Sequence, residues 1–285
     1  MSRNIINIGS AAAAAAGTAA FLNWQNEGIR TTRFIFSHPD MPAGFKGFKI
    51  AQISDFHNYA PLTRKVAAMT AAEKPDIIAI TGDLFDCRKT DIAAGLKLAE
   101  LLTKIAPVYY VRGNHEAKIE NTEKVNSMLK KLGIIIVEDR KITIRRNGDF
   151  ITLMGAKDPR FYRADKKKEK GGKLFRKNLI DQTSGDNTFK ILLSHRPEFI
   201  HTYRDCGIAL ALTGHAHGGQ FGIPFTDIGV FVPNQGIFPP YAAGMKQMGN
   251  TSVVISRGIG NSAFPIRINN RPELIIVTLK AGIND

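Results

Sequence analysis

Five apolar runs in this chain each lead straight into a residue able to hold a metal ion. FKIAQIS runs into Asp55-Phe56-His57, IIAIT into Gly82-Asp83-Leu84-Phe85-Asp86, and VYYVR into Gly113-Asn114-His115-Glu116. KILLS runs into His195-Arg196-Pro197, and ALALT into Gly214-His215-Ala216-His217. Five of the seven histidines lie inside these motifs, and only His38 and His201 stand outside, so scattered loop residues are a poor account of the pattern. Carboxylates and imidazoles together suit Zn, Mn or Fe ions, and a carboxylate has two oxygens with which to bridge a pair. The D-x-H and H-x-H spacings put alternate side chains on one side of an extended segment, so both members can reach one site. Glycines 82, 113 and 214 permit a sharp turn and close backbone approach beside each candidate.

The apolar runs read as buried strands, and the segments between them as helices. Strands are expected at 48–54, 76–81, 108–111, 134–136, 142–144, 150–154, 189–194, 208–213, 251–256 and 273–279. Helical spacing covers Thr63 to Lys74, Asp91 to Ile105 and Asn121 to Leu132, and a further helix follows Pro197. Strand–helix alternation of this kind gives an α/β fold with parallel pairing. In such sheets ligands bind at the carboxyl ends of the strands. Two stretches break the rhythm. Asp158 to Asn187, with its Lys166–Lys170 run KKKEK, is expected as a solvated loop, with a basic arm toward an anionic partner as the alternative. Gly218 to Gly249 is expected as a long loop with short strands.

The first residues differ in kind. Ile5 to Leu22 carries no charged side chain and includes six consecutive alanines, Ala11 to Ala16. A span of ~18–20 apolar residues can cross a bilayer. A membrane anchor over residues 1–29 ahead of a catalytic domain at 30–285 is the expectation. A cleaved signal peptide and an alanine-rich soluble helix are the alternatives. Localisation follows: membrane-associated through this segment, otherwise exported or cytoplasmic. The 285 residues, 44% hydrophobic, exclude a disordered chain, and a net charge of +14 favours anionic partners. Cys87 and Cys206 form no CxxC pair, so a zinc ribbon is excluded and two free thiols are expected.

The motifs DFH, GDLFD, GNHE, SH and GHAH, in this order, resemble the calcineurin-like metallophosphoesterases, over about residue 30 to the C-terminus. The runs GHAHGGQFGIPF and SRGIGNSAFPIRINNRPELIIVTL look like the bacterial branch that carries an N-terminal export or membrane segment. The resemblance implies a four-layer α/β/β/α sandwich with two mixed sheets, and two divalent ions of Mn, Zn or Fe. Asp55, His57, Asp83 and His217 would hold the first ion; Asp83, Asn114, His195 and His215 the second, with Asp83 as the bridge. His115 would contact the phosphoryl group and assist the leaving oxygen. Glu116 is expected to orient the His115 ring and Asp86 to brace the GDLFD turn. The implied reaction is hydrolysis of a phosphodiester or pyrophosphate bond. Its anionic substrate would be lipid- or nucleotide-linked and met at a membrane surface. Soluble phosphoesters are the alternative, and a non-catalytic binding module is a further one. A nuclease would rest on charge alone, and no nucleic-acid partner is expected.

Overall fold

The computed structural model describes residues 2–89, 91–162, 168–224, 226, 228–232, 235–261, 266–280 and 282, with the side chains of 2–11 and 168–169 left aside. In chain order the elements are α1 (Ser2–Glu27), β1 (Arg30–Ser37), β2 (Lys49–Ile53), α2 (Thr63–Glu73), β3 (Ile77–Thr81), α3 (Ala93–Thr103) and β4 (Val108–Val111). There follow α4 (Thr122–Lys131), β5 (Ile135–Ile136), β6 (Arg140–Arg146), β7 (Asp149–Gly155), α5 (Lys168–Thr183), β8 (Lys190–Leu193), α6 (Ile200–Asp205) and β9 (Leu210–Thr213). The chain closes with β10 (Phe231–Val232), β11 (Gly236–Ile237), β12 (Gly244–Met248), β13 (Thr251–Ile255) and β14 (Glu273–Lys280).

Two six-stranded mixed sheets form the centre, ordered β1-β14-β2-β3-β4-β5 and β12-β13-β9-β8-β7-β6. β2 through β5 pair in parallel, as do β7, β8, β9 and β13, while β14–β2, β6–β7 and β12–β13 are antiparallel. The sheets face each other across a core that includes Ile50, Ile77, Val111, Leu153, Leu193 and Leu212. Val66, Leu98 and Leu129 of α2, α3 and α4 cover the outer face of the first sheet. Phe175, Leu179 and Tyr203 of α5 and α6 cover that of the second. The result is an α/β/β/α sandwich. Strands buried on both faces read as unbroken apolar runs, which is why every residue of β3, β4, β8 and β9 is buried.

Three expectations change. Part of the segment expected as a solvated loop is α5, because Phe175 and Leu179, one helical turn apart, seat against the second sheet; the Phe175 and Phe199 rings lie 4.5 Å apart. Lys166 and Lys167 of the basic run lie outside the described residues. The strand β1 gave no clear signal, because it lies at a sheet edge and its pattern is only half-buried.

The third concerns the N-terminal segment. It is a helix, but no helix among the described residues is long and apolar enough to cross a membrane. Alanine is only weakly lipophilic, and Asn7, Gly9, Ser10, Gly17 and Thr18 dilute the run further. The last turn of α1 is tied to the sandwich. Asn26 Oδ1 accepts the Arg267 N–H at 2.9 Å and Asn261 Nδ2 at 3.1 Å, and the Arg271 guanidinium lies 4.4 Å over the Trp24 ring.

Candidate metal centre

The motif residues gather where the parallel strands of both sheets end. Asp55 and His57 follow β2, Asp83 and Asp86 follow β3, Asn114 and His115 follow β4, His195 follows β8, and His215 and His217 follow β9. They do not sit on extended backbone, as the D-x-H and H-x-H spacings suggested. Asp55, His57, Asp83, His215 and His217 all have positive φ, between 48° and 67°. This region costs a non-glycine residue about 1–3 kcal/mol, and it recurs where structure is strained for function. The side chains converge because each strand turns sharply at its end. Glycine is required where the backbones crowd the carboxylates. A Cβ on Gly113 would lie 2.2 Å from Asp83 Oδ1, and one on Gly214 would lie 2.4 Å from Asp55 Oδ2.

Four compact donor groups result among the described residues: two that include His115, with His57 and Asp83 or with Asp86 and Cys87, and two built from the other motif residues. In the first of the latter two, His217 Nε2 lies 3.1 Å from His57 Nε2 and 3.3 Å from Asp55 Oδ1, with His57 Nε2 4.0 Å from the same oxygen. In the second, His195 Nε2 lies 3.3 Å from Asp83 Oδ2, and Asp55 completes the group. Asp83 Oδ2 is also 3.8 Å from His57 Nε2, so this carboxylate stands between the groups. Its other oxygen accepts the His115 N–H at 2.8 Å. Asn114 is buried, and its Oδ1 has no hydrogen-bond partner. His215 lies beside these groups. Its N–H points at both Asp55 oxygens, at 3.2 and 3.1 Å, and its Nε2 lies 2.6 Å from Arg196 Nη1.

The electrostatics match the geometry. Burial raises the Asp55 carboxyl above its ordinary value. Burial would raise Asp83 too, but His195, His115 and His57 outweigh it and hold that carboxyl well below the usual range. His195 donates Nδ1–H to the Thr81 carbonyl at 2.8 Å, which turns Nε2 toward Asp83. Burial works against a charge on this ring, yet Asp83 and Asp55 push it up to about 10. Burial lowers His215, with Arg196 adding to it, and lowers His217, with His57 and Arg267 adding to it. Buried carboxylates facing close-set imidazole nitrogens make a place where positive charge is favoured.

A pair of divalent ions fits these residues. Carboxylate, imidazole and amide oxygen are the donors that Zn, Mn and Fe accept. Tetrahedral bonds of ~2.0–2.1 Å put neighbouring ligand atoms about 3.3 Å apart, close to the spacings of the group of Asp55, His57 and His217. Asn114 Oδ1 is buried without a hydrogen bond, which is costly unless another partner takes it.

Glu116 braces rather than orients, and Asp86 does both, since beside the rings its Oδ1 also accepts the Arg88 N–H at 2.9 Å just past the GDLFD turn. Glu116 braces the turn: its carboxylate accepts the N–H groups of Asp83 at 3.1 Å, Gly113 at 2.8 Å and Phe85 at 2.9 Å. Burial, joined by the charge of Asp83, pushes Glu116 up to about 7. Asp86 orients the histidines, with Oδ1 3.1 Å from His115 Nδ1 and Oδ2 3.5 Å from His57 Nδ1. Burial opposes its charge, but His115, His57 and Arg88 hold it far below the usual carboxylate range. Replacing Glu116 by Ala orphans three buried N–H groups, each worth about 1–3 kcal/mol. The expected cost is about 3–5 kcal/mol, read as a Tm lower by about 8–15 °C. A melting curve displaced by only a degree or two contradicts the bracing role.

Three further residues complete the surroundings and were not singled out in the sequence. Arg196, behind His215, is held by Asp158, with Nε 2.6 Å from Oδ2. Arg267 lies behind His217, with Nη2 3.5 Å from Nδ1 and a second bond to the Gly260 carbonyl. Arg196 directly follows His195, a proximity that offered a signal; Asp158 opened a stretch expected as loop and offered none.

Residues 48–219 match the family model described as calcineurin-like phosphoesterase. The uncharacterized metallophosphoesterase YkuE of Bacillus subtilis (strain 168) is 32% identical over 89% of this chain and 86% of its own. The phosphodiesterase YaeI of Escherichia coli (strain K12) is 27% identical over 81% of this chain and 82% of its own. A transmembrane protein with metallophosphoesterase domain from Danio rerio is 26% identical over 84% of this chain and 55% of its own.

Proposed function

The chain belongs to the calcineurin-like phosphoesterases and is a metal-dependent phosphoric ester hydrolase, and from that premise we propose that it cleaves a phosphodiester bond at the centre built around Asp83. The observation that carries this reading is Asp83 standing between the His57 and His195 nitrogens, with His115 oriented beside it. Asp55, His57, Asp83 and His217 would hold one divalent ion, and Asp83, Asn114, His195 and His215 the other. When bound, the pair lowers the pKa of the attacking water and offsets charge on the phosphoryl oxygens.

The protein's own groups do the rest. Asp86 accepts Nδ1–H of His115, which fixes the tautomer and leaves Nε2 facing the reaction centre, 4.0 Å from Asp83 Oδ2. From there Nε2 faces the departing alkoxide, and in the doubly protonated ring, with Nδ1–H held by Asp86, it gives up its proton and leaves the neutral Nδ1–H tautomer. The T-shaped contact with His57, 4.6 Å between ring centres, keeps the His115 ring from swinging away. For His215 to bind an ion through Nε2, the Arg196 contact must open; through Nδ1 it need not.

An amphiphilic ester met at a membrane surface is the finer reading. Its support is the hairpin β10–β11 beyond His217, where Phe231, Ile237 and Phe238 are all more than half exposed. Co-sedimentation with phosphatidylglycerol vesicles is the expected result; no binding even at low salt contradicts it. For the reaction itself, the purified chain is assayed on bis(p-nitrophenyl) phosphate. Activity should require added Mn²⁺ or Zn²⁺, fall to background with chelator and return with metal. Hydrolysis that chelator leaves untouched sinks the reading.

A further inference from the structure

Two hollows open on the outer face of the helical layer where α3 and α4 meet. One, about 590 Å³, runs from Cys87 past Ile92, Ile119 and Val125 to Met128. The other, about 550 Å³, continues between Leu96 and Leu132 and is also lined by Met128. Met128 lines both, so the two adjoin end to end as a trough along the helices. Each half is of a size that takes a small-molecule ligand. The floor is aliphatic: Ile92, Leu96, Ile119 and Leu132 pack on the core while staying partly accessible.

The near end of the trough backs onto His115 from its Nδ1 side, opposite the Nε2 that faces Asp83. Cys87 Sγ lies 3.4 Å from His115 Nδ1. The rim carries Lys97, Lys118, Lys124 and Lys131 against Glu100 and Glu120. Glu100 is already held by Lys97 at 2.8 Å and Lys104 at 2.6 Å, so the rim keeps a surplus of positive charge.

We propose that this trough holds the hydrocarbon chain of the substrate, so that the ester acted upon is an amphiphile with its phosphate at Asp83 and its tail between α3 and α4. A hydrocarbon is what an aliphatic floor accepts. The lysine rim draws in the anionic head to which such a tail is attached. The contact of Cys87 with His115 sets the near end of the trough directly behind the ring whose Nε2 faces the phosphate site. The assignment rests on the phosphoesterase reading, and its test separates the two.

Alkyl phosphates from ethyl to dodecyl are titrated into the metal-loaded chain by calorimetry. Iodoacetamide labelling of Cys87, mapped by mass spectrometry, is followed with and without dodecyl phosphate. p-Nitrophenyl alkyl phosphodiesters of the same lengths are assayed for turnover. The expected results are a Kd that tightens roughly two- to fourfold per methylene, protection of Cys87, and a kcat/KM that rises with length. Met128→Glu and Leu96→Gln should each flatten the length dependence and leave the methyl diester unaffected. A flat binding series, or full length dependence in both variants, overturns the tail site even if every diester is hydrolysed. Length-dependent binding without turnover of any diester keeps the tail site and overturns the phosphoesterase reading. A dimer that Met128→Glu dissociates, with no change in chain-length dependence, assigns the trough to a second copy of the chain and overturns the proposal.

Discussion

Replacing His115 by Gln is expected to lower kcat for diester hydrolysis by about 10²- to 10⁴-fold while the protein keeps its full complement of bound metal. The ring has the position and support of a proton donor rather than a ligand. Its Nδ1 is taken by Asp86 at 3.1 Å, and its Nε2 is 4.0 Å from the nearest oxygen of Asp83, farther than His195 Nε2 at 3.3 Å. Glutamine keeps bulk and polarity but cannot deliver a proton at neutral pH. The loss should therefore fall on kcat, with KM little changed. It should also shrink for esters whose leaving group needs no protonation, such as p-nitrophenolate, and be largest for alkoxides. Metal analysis of the variant decides the matter: if an equivalent of metal disappears together with activity, His115 is a ligand and the assignment fails.

The second large effect belongs to Asp83. Its Oδ2 faces both His57 and His195, at 3.8 and 3.3 Å, and it takes part in donor groups on either side. Asp83→Asn keeps the shape and replaces one oxygen by an amide nitrogen that cannot bind a cation. Both ions should be lost together, and hydrolysis should fall to background. Asp55→Asn is the control. Asp55 also sits in two groups, but its oxygens are engaged by the His215 N–H, so its replacement should weaken retention of the ion at His57 and His217 more than the other. An Asp83→Asn protein that still carries two equivalents of metal contradicts the bridging role.

Much of this centre could be read from the sequence because strands buried on both faces announce themselves. β3, β4, β8 and β9 are continuous apolar runs, and a polar motif at the end of such a run must lie on the rim of the sheet. What pairs with what was less visible. The second sheet came from resemblance, since long-range pairing such as β14 beside β2 leaves no local signal. Composition misled at α5, where lysines and glycines obscured Phe175 and Leu179. At α1 composition left an anchor, a signal peptide and an alanine-rich helix open, and of these the helix is seen while no described helix is long and apolar enough to cross a membrane.

Within the site, residue types were legible and backbone conformation was not. Asp55 and His57 look like alternate residues of a strand in sequence, but both turn at φ 51°. For the same reason the duties of Glu116 and Asp86 could not be assigned in advance. Which carboxylate reaches a ring and which folds back onto N–H groups depends on how the turns after β3 and β4 nest, and Gly113 pressed against Asp83 sets that nesting.

The most direct test of a centre organised around Asp83 is metal stoichiometry set against activity. The chelator-stripped chain is titrated with Mn²⁺ or Zn²⁺, and bound metal by elemental analysis is compared at each point with diester hydrolysis. Two equivalents per chain are predicted, with activity rising only as the second is filled. Full activity at one equivalent, or in the stripped protein, would contradict the two-ion account.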